Sequence, residues 1–91
     1  MAFCTIVEWD QDLSAALAKL QGDEPPPAGS IVRVFGSTET GTYAIEIWDS
    51  SDDARRFAEA SAPTLAASTL PPPTRGAAFE VSQLFIREQN A

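Results

Sequence analysis

A chain of 91 residues and 9.7 kDa has material for one small core, so a single domain over residues 1–91 is expected. Thirteen acidic against six basic residues give a formal charge of −7 and an isoelectric point near 4.2, a balance that repels phosphate backbones and anionic lipid, so neither nucleic acid nor membrane is an expected partner. With no histidine and a single cysteine, Cys4, the chain lacks Ser-His-Asp and Cys-His triads, histidine-bearing metal sites, a disulfide framework and the thiolates of an iron–sulfur cluster, so neither cofactor nor metal is expected.

Phe3 to Trp9 is rich in β-branched and aromatic residues and predicts a strand, ended where Asp10 is placed to cap a helix. No basic leader precedes this apolar run, which predicts that it is not a signal peptide. No stretch approaches the roughly 20 apolar residues of a membrane helix, and the unpaired cysteine suits a reducing compartment, so a cytoplasmic protein is expected. Leu13, Ala16, Leu17 and Leu20 fall at i, i+3, i+4 and i+7, one apolar stripe on a helix that Gly22 would close. Asp23 to Gly29, with three consecutive prolines, predicts an exposed connection.

Ile31 to Phe35 and Thr42 to Trp48 are two β-type runs joined by a turn with glycine at both ends, a hairpin pattern. Asp49-Ser50-Ser51-Asp52-Asp53 then sets capping side chains and carboxylates at the start of a second helix. Ala54, Phe57, Ala58, Ser61 and Leu65 mark its inner face, and Pro63 predicts a kink or restart. Leu70-Pro71-Pro72-Pro73 ends the helical region, a last strand is expected from Ala77 to Ile86, and the polar tail beyond should fray.

The order β-α-β-β-α-β predicts an α+β, ferredoxin-like domain with a four-stranded antiparallel sheet and two helices on one face. The other face is left to be solvated, bind a ligand or meet another chain. Alternation predicts Tyr43, Ile45, Ile47, Val32 and Val34 under the helices. It predicts Cys4, Ile6, Glu8, Ile31, Arg33, Phe35, Ala44, Glu46, Trp48, Ala78, Glu80 and Ser82 on the open face. That open face is too apolar for an ordinary wet surface, which points to burial in a dimer or a pocket.

Ala44-Ile45-Glu46-Ile47-Trp48-Asp49-Ser50, followed by the acidic, alanine-rich segment Ser51 to Ala60, resembles a recurring piece of the dimeric α/β barrel superfamily. Gly29-Ser30-Ile31-Val32, the Thr40-Gly41-Thr42-Tyr43 turn and Pro63 in the second helix agree with the resemblance. It implies a homodimer in which two sheets close back to back into a barrel. It also implies kinship with antibiotic-biosynthesis monooxygenases, which oxidise aromatic polyketides without a bound cofactor, and with stress-responsive and uncharacterised barrels. Trp48 matches the tryptophan ending the third strand of the monooxygenase-like branch, whereas Phe57 stands where that branch often has histidine.

Arg33 and Glu46 are expected to pair across the hairpin, as ligand-orienting groups or as a structural ion pair. Glu8, Glu46 and Glu80 either converge on one cavity, where a glutamate is the natural proton acceptor in a chain without histidine, or are each solvated near a strand end. Trp48 and Phe35, with Ile31, Ile6 and Glu8 beside them, would hold a small hydrophobic or aromatic ligand, Tyr43 being a weaker third aromatic. The expected function is binding of such a molecule by a homodimer, as a cofactor-independent monooxygenase, cyclase or isomerase of secondary metabolism. The alternative is a non-catalytic stress-response or binding module whose open sheet face is only the dimer interface.

Overall fold

The computed structural model describes residues 1–21 and 25–87. Its elements are β1 (Phe3–Trp9), α1 (Ser14–Gln21), β2 (Ser30–Ser37), β3 (Thr42–Trp48), α2 (Ser51–Ala67) and β4 (Arg75–Glu80). The four strands form one antiparallel sheet in the order β2-β3-β1-β4, and both helices lie over one face, an α+β arrangement compatible with the ferredoxin-like fold. No helix among the described residues is long and apolar enough to cross a membrane.

Local chemistry explains most boundaries. Asp12, rather than Asp10, serves the start of α1: its Oδ1 accepts from the Ser14 amide at 3.1 Å and from the Ser14 hydroxyl at 2.6 Å. These two bonds hold the Asp12 carboxyl below its ordinary value. Gly22, expected as the cap at the other end, lies outside the described residues, as do Asp23, Glu24 and residues 88–91. Ser50 caps α2, its Oγ accepting from the Asp53 amide at 3.2 Å and donating to Asp53 Oδ2 at 2.9 Å. α2 continues through Pro63 without the expected restart. Pro63 and Glu59 are both exposed, so the helix bond that the proline cannot make falls on the solvent side of α2.

β4 is shorter than expected and begins earlier. Glu80 pairs with Phe3, the first residue of β1, so the ladder has no template beyond it, and the Val81 amide makes the final bond to the Ala2 carbonyl at 2.8 Å. Between Ser30 and Val32 the β2–β3 register slips, leaving Ile31 in a bulge. Gly29 stands just before it at φ +84°, where a Cβ would run into the Asp53 side chain. At the far end of the hairpin, a Cβ on Gly41 would lie 2.6 Å from the Trp9 carbonyl oxygen.

The faces of three strands are the reverse of the expected ones. Across the sheet Arg33 pairs with Glu46 and Glu46 with Thr5, while Phe35 pairs with Ala44 and Ala44 with Val7. All of these line the space under the helices, together with Trp48. Val32, Val34, Tyr43, Ile45 and Ile47 therefore occupy the open face, beside Cys4 and Ile6 of β1 and Ala77 and Phe79 of β4. Only β1 has the expected parity. Ala78 and Glu80, expected on the open face, have the helix-side parity of Thr5 and Phe3.

The core sits at one end of the helix face, where Trp9, Leu17 and Ala44 are buried with Val7, Leu13 and Leu70 packed around them. Thr42, fully buried, ties β3 to the turn before α1: its Oγ1 accepts from the Leu13 amide and donates to the Gln11 carbonyl, both at 2.8 Å. Beneath α2 the packing is different. None of its seventeen residues is buried, because a cavity separates the helix from the sheet.

Candidate functional site

The cavity measures about 800 Å³, within the roughly 300–1,000 Å³ typical of small-molecule sites. Its floor is the helix-side row of the central strands: Thr5, Val7, Ala44, Glu46 and Trp48. Ala54, Phe57, Ala58, Ser61 and Leu65, the inner stripe expected of α2, form its roof. Its rim is the segment Leu70–Pro73, which is anchored by a 2.9 Å hydrogen bond from Trp9 Nε1 to the Pro71 carbonyl.

Four side chains form a continuous stack along one wall. The Arg33 guanidinium lies 5.1 Å from the centre of the Phe35 ring and 5.2 Å from that of Phe57, so it is held between two phenyl faces. Phe57 in turn meets Trp48 at 5.1 Å with the rings inclined by 37°. Each cation–π contact contributes roughly 0.5–2 kcal/mol as water is withdrawn, and the aromatic pair about 0.5–1.5 kcal/mol. Glu46 fixes the rotation of the guanidinium, its Oε2 accepting from Arg33 Nε at 2.9 Å. This charge-assisted bond leaves the Glu46 Oε1 and the two terminal guanidinium nitrogens without a partner among the described residues. Trp48 is itself fully buried, and its indole N–H meets no acceptor among the described residues, which offsets part of the stabilisation from packing by about 1–3 kcal/mol.

The arrangement supplies a planar apolar wall, a cation with free donors and a carboxylate with a free acceptor. It can stack on a ring, donate to a carbonyl or enolate oxygen and accept a proton.

Arg33, Phe35, Glu46 and Trp48 thus meet at one site, on the helix side and within a single chain. The other residues singled out from the sequence lie elsewhere. Ile6 and Glu8 are on the open face, and Ile31 is in the bulge. Glu80 is exposed on β4, with all of β1 between it and Glu46. Tyr43 is on the opposite side of the sheet from the cavity. The three glutamates therefore do not converge. Glu8 instead joins Asp10 in pairing with Arg75, a surface network that pushes the Arg75 guanidinium further above its ordinary value, chiefly through the hydrogen bond to Glu8. Among the described residues no cluster of three or more acidic or cysteine side chains could hold a metal ion.

Phe57, placed by the sequence on the inner face of α2 but not among the ligand-binding residues, proves to be the residue that joins Arg33 to Trp48. Its place on the inner stripe of α2 was the available signal. The rim at Leu70–Pro73 had none beyond its prolines.

No protein-family model matches this sequence, and no curated protein matches it. Among solved structures the chain is similar to MupZ from Pseudomonas fluorescens, with a TM-score of 0.64 over 94% of this chain and 89% of that one. Sequence identity is 12%, so the likeness speaks to a shared small α+β fold and not to activity.

Proposed function

We propose that the chain binds a small hydrophobic or aromatic molecule in the cavity beneath α2, as a homodimer whose open sheet faces meet back to back in a barrel. We further propose that it acts there as a cofactor-independent monooxygenase, cyclase or isomerase. The observation that carries this reading is the Phe35–Arg33–Phe57–Trp48 stack beside a carboxylate in a cavity large enough for a two- or three-ring molecule. In this reading Phe57 and Phe35, with the buried Trp48 backing Phe57, hold the ring system and Arg33 donates to a ligand oxygen. Glu46 Oε1 takes the proton from an acidic O–H or C–H bond, whose electron pair stays on the ligand as an enolate beside the guanidinium. The apolar open face, rich in Val, Ile and Phe, supports the dimer.

A second reading, binding without catalysis, is favoured by the commitment of Glu46 Oε2 to Arg33 in a direct ion pair. The two readings separate in one experiment with 1,4-dihydroxynaphthalene, followed by tryptophan fluorescence and by oxygen uptake. Saturable quenching below about 1 mM, weakened about tenfold in Phe57→Ala, is expected for a binding site. Oxygen uptake above the uncatalysed rate that is abolished in Glu46→Gln supports catalysis, whereas quenching without uptake supports the binding module. Absence of saturable quenching overturns both.

A further inference from the structure

The two ends of α2 are held in different ways. At its start the Asp49 amide donates to the Gly29 carbonyl at 2.8 Å, Ser50 caps the helix and Phe57 packs on Trp48, so this end is fixed to the sheet. At its finish the hydrogen bonds are local. The Ser68 amide and hydroxyl donate to the Leu65 carbonyl at 3.1 and 2.7 Å, and the Leu70 amide donates to Ser68 Oγ at 3.2 Å. The chain then runs as a strap along the cavity rim to Thr74, whose amide rejoins β1 at the Glu8 carbonyl, 2.7 Å away.

Pro71, Pro72 and Pro73 carry no N–H, so the strap cannot join the sheet as a further strand, and their fixed φ angles make it stiff. Among the described residues, one hydrogen bond ties residues 69–73 to the rest of the molecule: Trp9 Nε1 donates to the Pro71 carbonyl at 2.9 Å. The donor belongs to a buried ring of the core, and the acceptor lies midway along the strap. Leu70 adds apolar contact to the same core.

We propose that the hydrogen bond between Trp9 and Pro71 is a latch. While it is made, the strap holds the C-terminal end of α2 over the cavity. When it breaks, the strap and the last turns of α2 swing outward together, pivoting about the anchored start of the helix, and a ligand enters or leaves. This rests on ligand binding in the cavity as proposed above. Entry and exit both require the open form, whereas the free and the liganded closed forms both keep the latch. The latch therefore sets the rate of exchange and not the affinity. One neutral hydrogen bond shifts the closed-to-open ratio by roughly two- to tenfold, so its loss should raise both rate constants by about that factor. Trp9 acts here as a positioning residue, through the strap.

The test is stopped-flow tryptophan fluorescence with 1,4-dihydroxynaphthalene. Wild type is compared with Trp9→Phe and with a synthetic chain carrying benzothienylalanine at position 9, which keeps the shape of the indole without its N–H. Trp48 remains as the reporter in both, and far-UV circular dichroism checks that the fold is retained. Association and dissociation rate constants are each expected to rise by roughly two- to tenfold, with Kd changed by less than about twofold. A rise in dissociation alone, with a weaker Kd, would mean that Trp9 merely shapes the cavity and overturns the latch, as do unchanged rates in the benzothienyl chain. Amide exchange of the free protein provides a second measurement that needs no ligand. Exchange at Leu65, Ala66 and Ala67 should quicken by roughly two- to tenfold in the benzothienyl chain while that at Ala54 and Phe57 stays as in wild type. An equal change throughout α2, or none, overturns the latch. If wild type shows no saturable quenching, the binding reading fails on its own, and amide exchange still decides the latch.

Discussion

Glu46→Gln keeps the size and an acceptor oxygen but removes the charge opposite Arg33. At about 4 Å between charge centres and an effective dielectric near 20, the pair attracts by about 4 kcal/mol before desolvation is counted. The Arg33 and Glu46 side chains are 22% and 16% exposed, so both have lost much of their water, and desolvation cancels a large part of that attraction. Once Glu46 is neutral, the guanidinium still has two phenyl faces and the cavity mouth, so the penalty falls short of the ~3–5 kcal/mol seen when a fully buried pair is broken. The expected loss is about 1–2 kcal/mol, or a fall in Tm of roughly 5–12 °C for a domain of this size. Replacing both partners, Arg33→Met/Glu46→Leu, should return stability to within about 0.5 kcal/mol of wild type, because no uncompensated charge remains. Urea unfolding of wild type, Arg33→Met, Glu46→Leu and the double variant, followed by tryptophan fluorescence, gives the coupling energy directly. A loss below about 0.5 kcal/mol in Glu46→Gln, or a double variant less stable than either single one, would refute this account of the pair.

Three further outcomes are expected. Thr42→Val should cost about 2 kcal/mol in urea unfolding, because the Leu13 amide and the Gln11 carbonyl both lose their partner at a buried site; a neutral result would mean that water replaces the hydroxyl. Gly29→Ala should cost at least about 2 kcal/mol, from the positive φ and from crowding against Asp53, with the change visible as a lowered Tm. Burial pushes the Cys4 thiol above its ordinary 9.0, so iodoacetamide should react more slowly with the folded chain than with the chain in urea. The folded value being the raised one, this contribution to stability is complete below pH 9.0 and is lost as pH rises through the folded value, so Cys4→Ala should show a shallower alkaline fall.

The element order was legible because each segment carried its own period and punctuation: the i, i+3, i+4, i+7 stripe of α1, the glycine-bounded hairpin, and the Ser/Asp run before α2. The pairing of Arg33 with Glu46 was legible too, since hairpin register follows from the turn. The faces were not. Tyr43, Ile45 and Ile47 are more apolar than Ala44, Glu46 and Trp48, and the rule that sends the more apolar set toward the helices assumes that the helix side is the dry one. Here that side houses a cavity with an ion pair, and the uncovered side is the greasier, so the rule inverted three strands together. Asp10 was likewise misread as a cap because its partner, Arg75, lies on a strand 65 residues away. No local pattern announces such a contact.

The unburied α2 gives the domain an uneven resistance to opening. Around Trp9, Leu17 and Thr42, amide exchange should require unfolding on a scale near the global one, while α2, with no buried side chain to release, opens at much lower free energy. A guest could therefore enter by lifting one helix while the sheet stays intact. Once seated, it would replace the missing contacts and slow exchange in α2 far more than in β1 or β3. The cavity thus leaves α2 with a weaker hold on the sheet than α1 has through Leu17.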